Sequence, residues 1–536
     1  MRVSQGGGGQ REVITMRINT NISAIVSNNA LQKAQNALST SIERLSSGYK
    51  LNSSLDDPAG CAISEKMRIQ IRGLNQANNN ASDGVSVLNT AEGAMAEIQS
   101  MLTRLKELTV QAANDVNSDG ERRSIQEEIN NINSEIDRIS DQTEFNTQSL
   151  INGNLTRRVY SDYQGVNQLE CSDNFVAGIY GITVTSDARQ AVAVASSVIT
   201  MTDTQEIGEG QEGIISINGY NVDIEKGDTL DTIMGKLVEG MNYAGGNAFT
   251  VVDPYANDTK TNGTKYAGYE PATVYNSTNL VFMTNQYGSD QKLNISCDNQ
   301  ELANLLGIPE AYSNSIIAEG RDVTAEFSET TVSGVTSRVG FDNSAVLSTK
   351  GTVITITDVN NKEFVLDVPG NVSGTVFNDK TRTNGKSSVL NQGSSEQINQ
   401  EVTDVGTLSV HIGANQDQVI IINVPEISTY TLKTEHINVM TGYTSQLSID
   451  IVDDAITKLN KVRSQLGAYE NRFEHTENNL DVSSENLTKA LSVMMDTDMA
   501  EEMTEYTSYT VMTQAATSIL SQANQRPAEV LQILNQ

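Results

Sequence analysis

The chain has 536 residues, and 67 acidic residues outnumber 36 basic ones to give a formal net charge of −31 at pH 7. A negative field of this size repels phosphate groups and anionic lipids, so we expect neither nucleic acid nor a membrane surface as a partner. The three cysteines, Cys61, Cys171 and Cys297, lack metal-ligand spacing, which argues against a disulfide framework and against a zinc site.

Residues 1–15, MRVSQGGGGQREVIT, contain no apolar stretch of the kind that forms a secretory signal. No later run approaches the ~20 apolar residues that a membrane span requires. We therefore expect no membrane insertion, and we expect that any export from the cell proceeds without a cleaved signal peptide.

A polar stretch at 44–62, RLSSGYKLNSSLDDPAGCA, separates two segments with helical patterns. Its adjacent aspartates are compatible with an active site or a metal site, and equally with the start of a helix. Gly48 suits a helix C-cap, and Asp57 followed by Pro58 suits an N-cap and a first helical position. Gly48, Asp56, Asp57 and Pro58 are thus predicted to be hinge and capping residues.

Both ends of the chain carry long stripes of apolar or small residues at helical spacing, within residues 74–105, 125–139 and 452–494. A helix with one apolar stripe is not stable alone in water, because the stripe must be buried against another helix. We therefore predict a long antiparallel, coiled-coil-like rod built from both termini. Two further amphipathic segments, 22–45 and 499–536, have no core left to cover them and are predicted to wait for partners of their own kind.

The middle of the chain, about 160–430, changes to short runs of Val, Ile and Thr separated by turn residues. Segments 213–224, 351–368 and 406–424 have the pattern of β-hairpins. The fold class is therefore α+β and multidomain, with a helical rod from both termini and a β-rich central insertion.

No motif predicts catalysis. His475 continues as His-Thr-Glu-Asn-Asn, which is not a zinc-protease helix, and Gly385-Lys386-Ser387 lacks the first glycine of a phosphate-binding loop because Lys380 stands there. The sequence therefore predicts no catalytic residue, no cofactor and no metal, and a protein that is not an enzyme.

Arg104 and Leu108 lie four residues apart, within RLKELTVQ at 104–111. Such charges usually belong to the solvated face of a helix. Alternatively, the two side chains share one helix face and could form an anchor for a partner. The pattern by itself leaves both interpretations open.

Longer strings at the two ends resemble the bacterial flagellins. They include GLNQANNNASDGVSVLNTAEGAM at 73–95, RSQLGAYENRFEHTENNL at 463–480 and SILSQANQRPAEVLQIL at 518–534. The resemblance covers about 16–153 and 441–536. It implies a structural subunit that self-assembles into the flagellar filament for motility.

The resemblance also implies a division of the chain. The expected parts are a non-native or mis-started extension at 1–15, terminal helices of the filament core at 16–60 and 495–536, a helical shell at 61–160 and 405–494 with a β-hairpin edge, and variable outer β-rich domains at 161–404 that contain a ββαβ module at 211–308. The polar joint at Gly48 to Pro58 would then lie between core and shell.

Several partners follow from the resemblance. They are other copies of the chain in a helical homopolymer, the hook-associated junction and cap proteins, and an export chaperone at the C-terminal helix. Export by the flagellar type III apparatus would place the protein outside the cell. The residues that match the contact surface for the vertebrate Toll-like receptor for flagellin are Arg104, Leu108 and Glu128, so these three are predicted to bind that receptor.

The chain departs from the family pattern in three places. Residues 1–15 precede Met16, where flagellins normally begin. Cys61 stands where the family usually has an aliphatic residue, and 491–498, LSVMMDTD, lacks a common basic residue. The alternatives are a hook–filament junction protein, which shares the terminal helices, and an adhesin whose outer domains bind a host ligand.

Overall fold

The computed structural model describes residues 20–172, 175–202, 204–251, 278–332, 335–358, 362–373, 376–383, 386–391, 395–403 and 405–534. The predicted extension 1–15 and the expected start at Met16 lie outside these residues. The helices are α1 (Ile22–Ser47), α2 (Pro58–Ala112), α3 (Asp119–Gln142), α4 (Leu230–Tyr243), α5 (Gln300–Leu305), α6 (Pro309–Ser313), α7 (Thr429–Leu432), α8 (Gly442–Met495) and α9 (Met499–Leu534).

The strands occupy the middle of the chain. The first eleven are β1 (Glu144–Phe145), β2 (Gln148–Ser149), β3 (Val159–Ser161), β4 (Asn167–Cys171), β5 (Gly178–Ser186), β6 (Gln190–Val194), β7 (Gly213–Ile217), β8 (Tyr220–Ile224), β9 (Gly246–Val251), β10 (Asn279–Tyr287) and β11 (Lys292–Cys297). The next twelve are β12 (Ile316–Glu319), β13 (Thr324–Phe327), β14 (Glu329–Val332), β15 (Val335–Arg338), β16 (Val346–Lys350), β17 (Val353–Thr357), β18 (Glu363–Asp367), β19 (Val376–Thr383), β20 (Lys386–Asn391), β21 (Glu396–Val402), β22 (Leu408–His411) and β23 (Val419–Ile422). Long helices at both ends and a β-rich middle confirm the predicted fold class.

The chain forms two compact units. The first, called the terminal unit, contains the described residues up to 80, those of 411–418 and those from 475 onwards. The second, called the central unit, contains 81–410 and 419–474. The sequence-based division into core, shell and outer parts uses other boundaries and stays a prediction.

The helical part of the central unit buries most of the predicted stripes, although Ile132 and Ile139 of α3 are only half-buried. The apolar stripe residues of α2 between Ala81 and Leu105 are each at most 2% exposed. Ile129 and Ile136 of α3 are fully buried. On α8 the buried stripe runs from Val452 to Phe473. Spacing of three and four keeps these side chains on one helix face, so the three helices share a dry interface.

Local signals fix the return of the hairpin between α2 and α3. The Ser118 side chain accepts a hydrogen bond from the Glu121 backbone N–H, and the Glu121 carboxylate accepts one from the Ser118 N–H, which is a capping box. Arg122 donates to the Asn114 carbonyl at 3.1 Å and so closes the turn. The polar break in the sequence is therefore a helix stop followed by a capped restart.

One β core of the central unit contains the module predicted at 211–308. Strands β7 and β8 form an antiparallel hairpin through Asn218 and Gly219, both of which have positive φ. The six-stranded sheet has the order β19-β20-β12-β11-β7-β8. Helix α4 packs on it through Ile233, Leu237 and Met241, which are fully buried.

A second β core lies between two four-stranded sheets, ordered β13-β5-β21-β3 and β16-β17-β18-β4. Its interior holds a group of aromatic rings, with Phe175 and Tyr180 edge to face at 5.1 Å between centroids. Phe364 is fully buried among them. The antiparallel pair of β17 and β18 corresponds to the hairpin predicted at 351–368. The rest of this region was predicted only as β-rich.

Among the residues that the structure describes, no helix combines the length and the apolar character needed to cross a membrane.

Candidate functional site

The terminal unit is held together by α1 and α9, whose pairing joins the two ends of the chain. The Asn21 side chain donates to the Ala523 carbonyl at 2.7 Å, and Arg44 lies 3.7 Å from the Glu502 carboxylate. Between these points Ser41 is buried and lies 3.5 Å from the Glu502 carbonyl. Two segments that are more than 450 residues apart therefore form one helical pair.

The polar joint between α1 and α2 holds the four predicted hinge and capping residues. Gly48 has a φ of 77°, and its N–H donates to the Arg44 carbonyl, so it ends α1 in the left-handed conformation. Pro58 is the first residue of α2, and Asp57 accepts a hydrogen bond from the Ala59 N–H at 3.0 Å. This geometry is helix capping.

Asp56 has a different role in the joint. Its carboxylate accepts hydrogen bonds from the backbone N–H groups of Ser53 and Asn52, at 3.0 and 3.2 Å. The Ser53 hydrogen bond is the main cause that lowers the pKa of Asp56. The carboxylate is therefore used to fold its own loop.

Many large apolar side chains of the terminal unit are exposed. Among its described residues, the buried apolar side chains are only those of Ala34, Ala77, Leu480 and Ala523. The exposed ones are Ile22, Ile25, Val26, Ile42, Tyr49, Leu55, Ile63, Ile69, Val482, Val493, Met499, Met503, Val511, Met512 and Ile519. We call this set the uncovered apolar surface. Exposed apolar area of this extent marks an interaction site.

The second predicted site lies on α2 and α3 in the central unit, where Arg104 bridges two carboxylates. Its guanidinium is 2.8 Å from Glu128 Oε1 and 3.0 Å from Glu107 Oε2. These hydrogen bonds, that to Glu128 first, raise the pKa of Arg104. The side chains of Arg104 and Glu128 are 50% and 45% exposed, so a partner can reach both.

Leu108, the third predicted receptor contact, differs from the expectation of a shared accessible face. It is only 1% exposed and belongs to the core of the helical part. Leu108 lies one helical turn beyond Arg104, but its side chain is on the buried face of α2. The structure brings Arg104 and Glu128 together and adds Glu107, which sequence reasoning missed although its i+3 spacing from Arg104 was the available signal.

Within the described ranges, no group of three or more His, Cys, Asp or Glu side chains is arranged to hold a metal ion. Cys171 and Cys297 are buried, and Cys61 is half-buried near the start of α2. Burial is the main cause that raises the pKa of the Cys297 thiol.

Paired terminal helices, an uncovered apolar surface and a β-rich insertion define a subunit of a self-assembling structural protein. The family model described as the bacterial flagellin N-terminal helical region matches residues 18–156, and the model of the C-terminal helical region matches 449–534. The matched segments hold the long helices, on both sides of the β-rich middle.

Curated relatives match over nearly the whole length. The flagellin of Clostridium tyrobutyricum is 30% identical, over 95% of this chain and 100% of the relative. A flagellin of Salmonella typhimurium is 29% identical, over 96% and 99%. The solved structure of FliC from Burkholderia pseudomallei is 14% identical, covers 73% of this chain and 99% of its own, and has a TM-score of 0.21. The chain belongs to the flagellin family. It is a structural subunit of the extracellular flagellar filament, which confirms the predicted function.

Proposed function

We propose that the uncovered apolar surface of the terminal unit is the contact between subunits in the filament. The observation that carries this is the near absence of a core among the described residues of α1 and α9, while large side chains such as Met503, Met512 and Ile519 are about half exposed. Burying them against neighbouring copies supplies roughly 1.5–3 kcal/mol for each side chain that becomes fully covered. Ordering of the terminal helices and assembly then occur together.

Seeded polymerisation followed by electron microscopy tests this proposal. Subunits that begin at Met16 are added to short filament seeds, in parallel with the chain that begins at Met1. Long filaments from the Met16 form support the assembly surface. Growth from Met16 but not from Met1 supports the further proposal that residues 1–15 are a mis-started extension that hinders packing.

We propose, second, that the exposed face around Arg104 and Glu128 is bound by the vertebrate Toll-like receptor for flagellin. The support is the resemblance of RLKELTVQ and IQEEI to the family's contact surface, together with the exposure of this ion pair. Leu108 acts indirectly in this proposal, because its buried side chain holds the backbone of α2 at the contact.

The matched control for this experiment is Arg138 on α3. Its side chain is also 50% exposed, and it pairs with Glu135 at 2.5 Å. We expect Arg104→Ala and Glu128→Ala to weaken receptor binding in a surface-binding assay, and Arg138→Ala to leave it unchanged. Equal affinity of all three variants and the unmodified chain would contradict the proposal.

The remaining partners rest on membership of the family. We propose that an export chaperone covers α9, that the junction and cap proteins contact the ends of the polymer, and that type III export proceeds without a cleaved signal peptide. The exposed Val511, Met512 and Ile519 give the chaperone an apolar helix face to cover. Protection of this helix from hydrogen exchange by the co-purified chaperone tests the first of these, and N-terminal sequencing of native filaments tests the last.

The division into parts is proposed on the same basis. Core helices at 16–60 and 495–536, a shell at 61–160 and 405–494, and outer domains at 161–404 are expected to differ in stability when the subunit is monomeric. The joint from Gly48 to Pro58 is proposed to act as a hinge between core and shell. Limited proteolysis that removes the terminal helices first, and leaves the shell and the outer domains intact, supports this division.

A further inference from the structure

A groove of about 680 Å³ crosses the central unit between α3 and the module that contains α4. One wall is formed by α3, and the opposite wall by the end of α4 with the end of β10. Its floor is the segment 436–451. Known ligand pockets have volumes of roughly 300–1,000 Å³, so the groove is large enough for a small ligand. The established role of the chain as a filament subunit does not use it.

The walls of the groove are fixed by side-chain amides. Gln126 donates to the Ile437 carbonyl at 2.9 Å and accepts from the Val439 N–H at 2.8 Å. Across the groove, Gln286 donates to the His436 carbonyl at 3.2 Å. The groove is therefore preformed, and binding of a ligand carries little free-energy cost for ordering its walls.

Arg123 is a basic residue of the groove lining. It donates to the Tyr243 hydroxyl at 2.6 Å and lies over the Tyr243 ring, 5.5 Å from the centroid. Tyr243 in turn donates to Glu239 at 2.9 Å. Within the described part of the chain Arg123 has no carboxylate within ion-pair distance, whereas Lys292 on the opposite wall is paired with Glu319 at 3.0 Å.

The Arg123 guanidinium is exposed and lines the groove. Its planar fork matches the two oxygens of a carboxylate, and the Tyr243 ring holds it in place. Glu127 also lines the groove and adds a negative charge, which disfavours ligands with several charges. The ligand should therefore carry a single carboxylate near Arg123.

The rest of the lining specifies the body of the ligand. Amide and hydroxyl side chains make up most of it, with a smaller apolar part around Leu447 and Ile451. Several of these polar groups, such as Gln126 and Gln286, already hydrogen-bond within the protein, so the amides offered to a ligand are chiefly those of Asn242 and Asn285. Amides and hydroxyls pair with sugar hydroxyls, whereas a peptide side chain would need an apolar pocket. We propose that this groove binds an acidic oligosaccharide of about three sugars, with its carboxylate on Arg123 and its hydroxyls on the amide-lined walls.

Titration calorimetry on the monomeric full-length chain tests this proposal. The probes are 3′-sialyllactose, which represents animal glycans, a xylotriose that carries one glucuronic acid, which represents plant glucuronoxylans, and maltotriose as the neutral control. We expect saturable binding of at least one acidic probe, with a Kd of about 1 mM or below, and at least ~10-fold weaker binding of maltotriose. Which acidic probe binds identifies the source of the ligand.

Variants on α3 locate the site. Arg123→Ala should weaken binding of the acidic probe at least ~10-fold, because it removes a charge-assisted hydrogen bond, and Arg123→Lys should weaken it less. Arg138→Ala on the same helix should not change it. Absence of saturable binding by both acidic probes, equal binding of maltotriose, or equal affinity of Arg123→Ala would each overturn the proposal and leave the groove as a solvent-filled gap.

Discussion

The ring of Phe473 lies directly against the backbone of Gly84, so that a Cβ added to this glycine would come within 3.0 Å of two ring carbons. Phe473 on α8 is fully buried, and Gly84 belongs to the buried stripe of α2. The absence of a side chain at Gly84 therefore allows α2 and α8 to approach closely. The ring fills the space that a Cβ would take.

Substitution of Gly84 and of Gly93 by alanine should have different effects on stability. Both glycines lie in α2, where alanine is favoured over glycine by about 1 kcal/mol. A Cβ at Gly93 meets no atom within 4 Å, so Gly93→Ala should stabilise the chain by about that amount. Gly84→Ala adds an overpacking cost of about 1–3 kcal/mol against the Phe473 ring, and should be neutral or destabilising.

Thermal unfolding of the monomeric chain, followed by helical circular dichroism, measures this pair. The informative quantity is the difference between the two variants, because the gain in helix propensity is common to both. Equal stabilisation by Gly84→Ala and Gly93→Ala would show that the Phe473 ring can move aside, and would contradict the close packing described above.

Replacement of an exposed apolar residue on α9 should affect assembly and not folding. Ile519 is 55% exposed, so Ile519→Asn removes little packing from the monomer. If the uncovered apolar surface is the contact between subunits, the substitution should forfeit roughly 1–1.5 kcal/mol per subunit, which is about half of the value for a fully exposed side chain, and raise the critical concentration for polymerisation roughly five- to tenfold. Sedimentation of seeded filaments measures that concentration.

Gln514 provides the matched control on the same helix. It is exposed and polar, so Gln514→Asn should leave both polymerisation and monomer melting unchanged. If the Ile519→Asn variant polymerises as readily as the Gln514→Asn variant, Ile519 is not part of the contact between subunits.

The helical part was predictable because its signal is local and repeated. Each stripe fixes one buried face through spacing of three and four residues, and the positions from Ala81 to Leu105 and from Val452 to Phe473 are buried as predicted. The sequence also predicted that α2 can approach another helix closely, because Gly84 lies in the apolar stripe of α2. The partner that fills its space, Phe473, was visible only in the structure.

The β-rich middle was less predictable because its strands pair over long separations. Phe364 in β18 lies opposite Cys171 in β4, and Ile398 in β21 lies opposite Ile182 in β5. No local periodicity specifies such partners, since each strand presents a similar alternating pattern. The hairpin at Asn218 was predictable, because its turn type is fixed by adjacent residues.

Leu108 shows how a site prediction from spacing can mislead. The i,i+4 relation correctly places it beside Arg104, but it also lies three residues beyond Leu105 and four before Ala112, both of which are fully buried. The stripe therefore continues through Leu108, and this signal was present in the sequence. The exposed group at this position consists of Arg104 with Glu107 and Glu128.

Leu108→Ala should accordingly act on stability first. Truncation of a fully buried leucine costs about 2–5 kcal/mol, through lost burial and the cavity that remains. Chemical denaturation should show this loss, whereas Arg104→Ala should leave the denaturation midpoint nearly unchanged because the side chain is half exposed.

Receptor-binding measurements on Arg104→Ala, Leu108→Ala and Leu108→Met distinguish a direct contact with the receptor from an effect on the fold. Arg104→Ala should weaken binding with the fold intact. Leu108→Ala should weaken it only to the extent that α2 is disturbed, and Leu108→Met, which conserves volume, should restore most of the affinity. Loss of binding by Leu108→Met with unchanged stability would mean that the receptor contacts the side chain directly.

The last prediction concerns the pH dependence of the second β core, where Asp367 accepts hydrogen bonds from three side chains. Lys433 Nζ lies 2.9 Å from Asp367 Oδ2, the Tyr430 hydroxyl lies 2.8 Å from it, and Thr352 donates to Oδ1 at 2.5 Å. Burial by itself raises the pKa of Asp367, but the hydrogen bonds from Thr352 and Lys433 outweigh it, and the pKa is lowered. These bonds join β18 to the segment around α7.

Because the folded pKa lies below the unfolded value of about 3.9, the carboxylate contributes stability above that pH, and this contribution is lost as the pH falls through the folded pKa. Asp367→Asn should therefore cost about 1.5–3 kcal/mol at neutral pH, the range of hydrogen bonds to a charged group. It should also flatten the fall of stability below about pH 4. Glu485 is the control, because a hydrogen bond from Lys489 also lowers its pKa. This pair is exposed to solvent, so screening leaves it little effect on stability. Urea unfolding of Asp367→Asn and Glu485→Gln across acidic and neutral pH measures both, and parallel curves for the two variants would contradict the assigned role of Asp367.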